Sequence, residues 1–392
     1  MILQEDLAVA LHLLAVLENF SHDGLGILAL FKLHSHLQGH EVHIGLLDTR
    51  GLTGGILPVS YTHLDVYKRQ GSDRATLLYV SRNNGVKLLI NELTNYPKEL
   101  GLDQEFHGDQ DNVAEVISRY TLHDEPLGFD GEYPARWLLP LQEFHAASAY
   151  VVGDRALNLQ RAHKDPEEIE LLREASRMND RVMARVRGVF HDGISEQEAA
   201  GIISKMFVEE GADMPGWVIV AFGANAANPH HIPGETRLQT GDTILVDMGS
   251  PRKGYHSDMT RTFFWKTVSE KQRQVYELVK NANLLAEQAV RPGVKCCDVD
   301  KVARDHITEG GYGPYFTHRL GHYIGIDLHD PGDIAWYNPD PVDPTMVFSC
   351  EPGVYLPGEF GVRVEDLVLA TEDGCEILNQ DSKELELSLI HI

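Results

Sequence analysis

Two aspartates in one short hairpin constrain this chain more than any other feature. Residues 243–262 read T-I-L-V-D-M-G-S-P-R-K-G-Y-H-S-D-M-T-R-T, two β-strands about a tight turn supplied by Ser250, Pro251 and Gly254. A regular hairpin centred between Arg252 and Lys253 sets Asp247 opposite Asp258 on one face. Like charges opposite one another repel, and burying them unpaired is costly. The neighbouring Ile244, Leu245 and Val246 favour burial, so the fold must supply a cation or leave the pair in water. On these residues alone a metal site and a solvated hairpin tip both stand.

The totals narrow the alternatives. A chain of 392 residues has length for two or three domains and a large core. A net charge of −25 offers no basic excess for nucleic acid or an anionic membrane surface. The four cysteines include the adjacent Cys296 and Cys297 but no C-x-x-C, which is neither a disulfide framework nor a zinc knuckle. No apolar run reaches the roughly 18 residues of a membrane span. Glu5 and Asp6, with no early Lys or Arg, make a poor signal peptide. The expected location is cytoplasmic.

Residues 1–57 are rich in Leu and His and give no convincing capped elements. Residues 58–70, P-V-S-Y-T-H-L-D-V-Y-K-R-Q, fit neither strand nor helix periodicity and resemble adapter read-through in assembled environmental sequences; residues 387–392 have the same look. From Gly71 the character changes. Residues 76–81 and 86–91 flank Asn84-Gly85, a strong hairpin signal, and residues 111–120 and 134–147 read as helices. The domains expected are therefore a foreign segment (1–70), a smaller, incomplete α/β N-terminal domain (71–157), a larger domain (158–386) and a tail (387–392).

The larger domain reads as a duplication. Asp165-Pro166-Glu167-Glu168 opens a long helix with Asp as N-cap and Pro at its first position. A second capping box at Ser195–Glu198 starts a helix that stops at Gly211. One hundred residues on, Gly293 opens a helix that ends near Gly311, again after a long helix (270–290). Two such units predict a pseudo-symmetric α/β domain, with chance spacing of glycines as the competing explanation. Residues 217–223, 243–249, 346–351 and 362–369 read as strands, the last two carrying Glu351 and Glu365 in apolar runs. A buried Glu needs a partner; for Glu365 an ion pair with Arg363 competes with a metal.

Between hairpin and strands lies T-H-R-L-G-H-Y-I-G-I-D-L-H-D, with His318, His322 and His329. Asp247, Asp258, His322, Glu351 and Glu365 form a mostly hard-oxygen set that favours Mn²⁺ or Co²⁺, with Zn²⁺ allowed. Four carboxylates exceed the charge of one divalent ion, whereas two ions per chain sharing bridging carboxylates balance it.

The motifs N-P-H-H (His230), V-D-M-G, H-S-D-M-T-R-T, the three-histidine loop, C-E-P-G-V-Y and G-V-R-V-E-D occur in the order found in the Xaa-Pro peptidases, aminopeptidase P and prolidase, which the chain resembles strongly over 160–385 and weakly over 71–150. That family shares the pita-bread metallopeptidase fold with methionine aminopeptidase and creatinase. The resemblance implies that Asp247 chelates one metal, Asp258 and Glu365 bridge both, and His322 and Glu351 hold the other. It implies substrate-contacting or bracing roles for His230, His318, His329 and Arg363, and a homodimer. Arg319 departs from the family, which commonly has Gly there.

The implied reaction is hydrolysis of the first peptide bond of peptides with proline second. A hydroxide generated between the metals attacks, Glu351 shuttles the proton, His329 and His230 stabilise the oxyanion, and His318 and Arg363 contact substrate. A methionine aminopeptidase, or a non-catalytic binding protein on the same fold, are the alternatives; the latter is disfavoured because every ligand is present.

Overall fold

The computed structural model describes residues 103–129, 133 and 135–388, with segments 32–35, 40–43, 54–58, 77–81 and 85–93. The chain forms two compact units, Met1–Gln160 and Arg161–Ile392.

In the first unit Leu77–Ser81 and Gly85–Asn91 pair antiparallel, the hairpin expected there, but Gly85 stands in its strand opposite Ser81 rather than in the turn, and residues 82–84 between them lie outside the described residues. They belong to a six-stranded sheet in the order Asp103–His107, Gly85–Asn91, Leu77–Ser81, Gly54–Pro58, Pro126–Phe129, Ala149–Val152. Leu77, Leu89 and Leu127 pack with Ile117 of the helix Val113–Ser118 and Leu141 of the helix Ala135–Glu143. Gly54–Pro58, within the segment expected to be foreign, pairs with Leu77–Ser81 on one side and Pro126–Phe129 on the other. With only Ile56 and Leu57 as large apolar residues, that strand shows no alternation to read. Of residues 58–70, on which the adapter reading rests, all but Pro58 lie outside the described residues.

The second unit is built twice over. Its long helices Pro166–Val186 and Glu270–Ala289 start at capping boxes, Asp165 with Glu168 and Ser269 with Gln272. The shorter helices Glu196–Glu209 and Cys296–Glu309 follow Gly193 and Gly293, at φ 79° and 83°. Both end before glycines, Gly211 and Gly311, at φ 88° and 87°. A left-handed residue favours glycine, and the matched pairs are the backbone signature of the repeat. The entry turns repeat as well: Gly193 N donates to Leu238 O at 3.2 Å, and Gly293 N to Val342 O at 2.8 Å.

Each half carries its own core. In the first, Val182, Ile203 and Phe207 of the helices cover Val220, Val246 and Phe263 of a sheet ordered Leu387–Ser388, Met259–Trp265, Thr243–Gly249, Trp217–Phe222. In the second, Val279, Ala303 and Ile307 cover Phe348 and Val368 of a sheet ordered Asp330–Ile334, Gly321–Tyr323, Val347–Cys350, Asp366–Ala370, Cys375–Ile377. A separate hairpin, Gly353–Leu356 with Phe360–Arg363, packs beside it. The continuous strand expected over 362–369 is broken at Val364-Glu365, so Glu365 stands between two strands rather than within one. No helix among the described residues is long and apolar enough to cross a membrane.

Candidate metal centre and its surroundings

All nine residues singled out from the sequence line one cavity of about 550 Å³: Asp247, Asp258, His322, Glu351, Glu365, His329, His230, His318 and Arg363. Trp217, Ile219, Leu328 and Trp336 give it an apolar wall, and Arg319 and Tyr337 also line it.

The hairpin register differs from the one expected. Asp247 pairs with Thr260, not Asp258, because the turn is centred on Lys253-Gly254, with φ 50° and 79°. Positive φ at both central residues is a type I′ turn, whose twist suits a two-residue hairpin. The displacement moves each partner by two positions and so keeps the same face. Asp258 stands just before the strand Met259–Trp265 and still faces Asp247. Close approach at the base of the hairpin requires Gly249, where an added Cβ would lie 2.0 Å from the Ser257 carbonyl oxygen.

His322 reaches the acids from the opposite half. Its Nδ1 donates to the Tyr323 carbonyl at 3.0 Å, which leaves Nε2 as the bare nitrogen. That Nε2 lies 3.4 Å from Asp258 Oδ2 and 3.6 Å from Glu351 Oε1. Gly321 allows this strand to close on its neighbour, since a Cβ there would stand 1.8 Å from Ser349 O. Ligand atoms of Asp258, His322 and Glu365 lie within 4.8 Å of one another.

The carboxylates crowd in a desolvated space. Burial, then Asp247 and Glu351, push the Asp258 carboxyl well above its usual range. Glu365 is raised by burial, then by Asp258, Glu351 and Asp247. Asp247 is raised by burial against the pull of Arg363. Burial also acts on Glu351, but His322, His318 and Arg363 outweigh it and hold its carboxyl below the usual range. Four acids in this space cannot all ionise without added positive charge. Asp247 Oδ1 and Asp258 Oδ1 are buried and have no hydrogen-bond partner among the described residues. Orphaned carboxylate oxygens facing an imidazole with a free Nε2 fit divalent cations.

Residues around this cluster are held by hydrogen bonds that the sequence did not reveal. Arg363 donates from Nη2 to Asp247 Oδ2 (2.5 Å), from Nε to Thr260 Oγ1 (2.9 Å) and from Nη1 to the Tyr355 hydroxyl (2.9 Å). Its carboxylate partner is therefore Asp247 and not the adjacent Glu365, which takes a 2.6 Å hydrogen bond from Thr260 Oγ1. The Tyr355 hydroxyl, pushed up to about 12 by burial, stays protonated and meets His318 Nε2 at 2.8 Å. His318 Nδ1 donates to the Arg319 carbonyl at 2.6 Å. Tyr355 and Thr260 sit inside motifs quoted above, but nothing local marks their contacts.

The histidine-bearing loops are anchored from behind. Asp330, next to His329, is buried against Lys164 Nζ at 3.0 Å and against Arg161. Arg304 donates to the Phe316 and His318 carbonyls at 3.0 and 2.9 Å, and its partner Asp300 accepts from Leu320 N at 3.0 Å. Glu196, fully buried, accepts from Phe222 N (2.8 Å), Asn225 Nδ2 (2.9 Å), His231 Nε2 (2.8 Å) and Gly234 N (3.1 Å), fixing the loop that carries His230. The rings of His322 and His329 lie 4.1 Å apart. His329 is exposed at the cavity lining; partial desolvation, then His322, then Arg319 push its pKa down to about 4.

Comparison with known proteins gives this geometry a family. Residues 170–372, just over half of the chain, match metallopeptidase family M24. The Xaa-Pro dipeptidase of Pyrococcus furiosus is 34% identical over 277 residues, spanning 70% of this chain and 78% of that relative. The structure of dipeptidase PepE from Mycobacterium ulcerans superposes with a TM-score of 0.78 at 31% identity, covering 86% of this chain and 94% of its own. That of the X-Pro aminopeptidase from Thermotoga maritima MSB8 does so with a TM-score of 0.71 at 25% identity, covering 86% and 98%. The pseudo-symmetric α/β arrangement is the pita-bread fold expected from the sequence. Fold, motif order and the oxygen-rich cluster with its orphaned carboxylates lead to one assignment: the chain belongs to metallopeptidase family M24.

Proposed function

We propose that the protein removes the N-terminal residue from peptides with proline second, using two divalent cations held by Asp247, Asp258, His322, Glu351 and Glu365. The observation that carries this reading is the pair of buried, unpartnered oxygens, Asp247 Oδ1 and Asp258 Oδ1, within a crowd of acids that needs positive charge. The oxygen-rich set suits Mn²⁺, with Co²⁺ or Zn²⁺ as substitutes. Such cations, when bound, polarise the scissile carbonyl and bring the pKa of water near neutral.

The protein's own groups do the rest. Glu351 is the carboxyl of the cluster that is held below the usual range, so it stays ionised and available to take a proton from water and return it to the leaving nitrogen. His329 is neutral at pH 7, so it donates a hydrogen bond to the developing oxyanion without repelling the cations. His230, at the cavity edge, contributes a second donor. His318, its pKa lowered mainly by burial, is a neutral contact for the part of the substrate beyond the scissile bond. Arg363 has its donors engaged by Asp247, Thr260 and Tyr355, which supports a bracing role over direct substrate contact. The apolar wall of Trp217, Ile219, Leu328 and Trp336 offers a surface for a pyrrolidine ring. The proline preference follows the Pyrococcus furiosus relative, named an Xaa-Pro dipeptidase. A cytoplasmic homodimer is part of the same proposal.

The test is an assay of Xaa-Pro and Xaa-Pro-Yaa peptides with added Mn²⁺, Co²⁺ or Zn²⁺, alongside metal analysis of the purified chain. The expected result is proline-dependent release of the first residue and two cations per chain. No cleavage with any cation, together with metal-free, folded protein, overturns the proposal.

A further inference from the structure

Leu328 and His329 both line the cavity, and the residues on either side of them, Asp327 and Asp330, are acids. One guanidinium from outside the cavity joins those acids. Arg161 Nη2 donates to Asp327 Oδ2 at 2.5 Å and also to Asp330 Oδ1. The turn is tightened from within, Asp327 N donating to Asp330 Oδ1 at 3.3 Å and Gly325 N to Asp327 O at 3.1 Å. Gly325 makes room for this, since a Cβ there would collide with Asp330 Oδ2. That second oxygen accepts from Lys164 Nζ at 3.0 Å, in a pair whose side chains are 2% and 3% exposed. Lys164 Nζ also donates to the Arg161 carbonyl, and Lys164 N to Thr345 O at 3.1 Å. Residues 161–164 are thus fixed just where Asp165 caps the next helix.

We infer that Arg161 is a positioning residue for the reaction, acting through His329: by holding both ends of the turn it fixes the imidazole where the oxyanion develops. The inference rests on the peptidase reading above and adds to it a residue outside the cavity. The two cations have separate tasks. Lys164 is the counter-charge that lets Asp330 be buried, and its loss would strand a buried carboxylate. The Arg161 side chain is 29% exposed, and its loss leaves Asp330 paired with Lys164 and returns Asp327, 34% exposed, to water. Arg161→Gln therefore slackens the turn and keeps the fold. His322 has its own ties, to Tyr323 O and to Ser349 Oγ, so the displacement falls on His329 and not on the proposed ligands.

The experiment measures kcat, KM and metal content of the metal-loaded full chain with an Xaa-Pro dipeptide, for wild type, Arg161→Gln, His329→Ala and the double variant. A transition-state donor displaced by a fraction of an ångström costs roughly 10-fold in turnover. Arg161→Gln should therefore lower kcat about 10-fold with KM and metal content unchanged, and Arg161→Lys should recover part of the loss. In the His329→Ala background the same substitution should cost less than about 2-fold, because a residue that acts through His329 has nothing left to act on. Amide hydrogen exchange over residues 325–330 should rise in Arg161→Gln while that over 196–209 stays as in wild type. Equal losses in both backgrounds, an unchanged kcat in Arg161→Gln or unchanged exchange over 325–330 overturns the inference and leaves the peptidase reading standing. No cleavage by wild type overturns both. Should Arg161→Gln fail to fold, Asp327→Asn, which weakens the same bridge from its exposed side, takes its place in the cycle with the same expected outcomes.

Discussion

Glu196→Gln changes one oxygen to nitrogen in a fully buried side chain, and its effect can be worked out from four hydrogen bonds. Oε1 accepts from Phe222 N and Asn225 Nδ2 at 2.8 and 2.9 Å, and Oε2 from His231 Nε2 and Gly234 N at 2.8 and 3.1 Å. Glutamine keeps one oxygen, which can satisfy two of these donors. Its amide then turns N–H groups toward the other two, whichever way it is flipped. Losing hydrogen bonds to a charged acceptor and stranding buried donors costs about 2–4 kcal/mol in all. The loop from Asn225 to Gly234 carries His230, so turnover should fall with stability. The proposed ligands lie on other segments, so metal content should hold. Urea unfolding of the metal-loaded protein, read with metal analysis and steady-state kinetics, measures all three. A stability change below about 0.5 kcal/mol with unaltered turnover would refute the argument that this carboxylate anchors the loop.

Asp258→Asn should lower bound metal and cut activity by orders of magnitude while circular dichroism stays unchanged; near-normal turnover would dismiss Asp258 as a shared ligand. His329→Ala should reduce turnover at wild-type metal occupancy, and a large loss of metal would make it a ligand instead. Glu287 is pushed up to about 7 by burial, then by Asp366, with Lys383 opposing. A carboxyl raised in the folded state favours the fold most at low pH, and that contribution is lost as pH rises from about 4.5 to about 7. Glu287→Gln should therefore gain about 1–3 kcal/mol relative to wild type between pH 5 and pH 8 in urea titrations, and a constant difference would contradict this. Limited proteolysis tests the proposal that residues 1–70 are foreign to the fold: cleavage before Gly71 with a resistant body from about Asn158 supports it, and resistance through 54–58 counts against it.

What could be read beforehand was what is encoded locally. Capping boxes at Asp165, Ser195 and Ser269 mark helix starts because cap and third residue are three positions apart. The glycine pairs mark the repeat because left-handed backbone selects one residue type. The hairpin register was misplaced because three consecutive residues, Arg252, Lys253 and Gly254, offer two turn centres, and only the requirement for positive φ chooses between them. The break before Glu365 was hidden inside an apolar run that reads equally well as one strand or two. Thr260, which binds a residue 105 positions away, and Glu196, whose partners lie up to 38 positions on, leave no periodic trace. Acid at the start of a helix looks like ordinary first-turn chemistry until burial reveals it. For Arg363 the sequence offers only Glu365, a neighbour on one face, as a competing ion-pair partner, and nothing local points to Asp247, 116 positions earlier.

The proposed ligands divide between the two repeats: Asp247 and Asp258 from the first, His322, Glu351 and Glu365 from the second. Beyond the short connection between Met259–Trp265 and Glu270–Ala289, the halves are joined by the strand Leu387–Ser388, parallel to Phe264 and Trp265, and by buried hydrogen bonds such as Arg261 to Asp366, Thr260 to Glu365 and Arg363 to Asp247. Cations seated between the halves, as proposed, would add a removable clasp to these contacts. At a concentration one hundred times its dissociation constant, each would add about 2.7 kcal/mol to folding. Chelation would then do more than silence the enzyme. It would set two acid-lined faces repelling one another, so that loss of metal is felt as a loosening of the molecule along the seam of its own duplication.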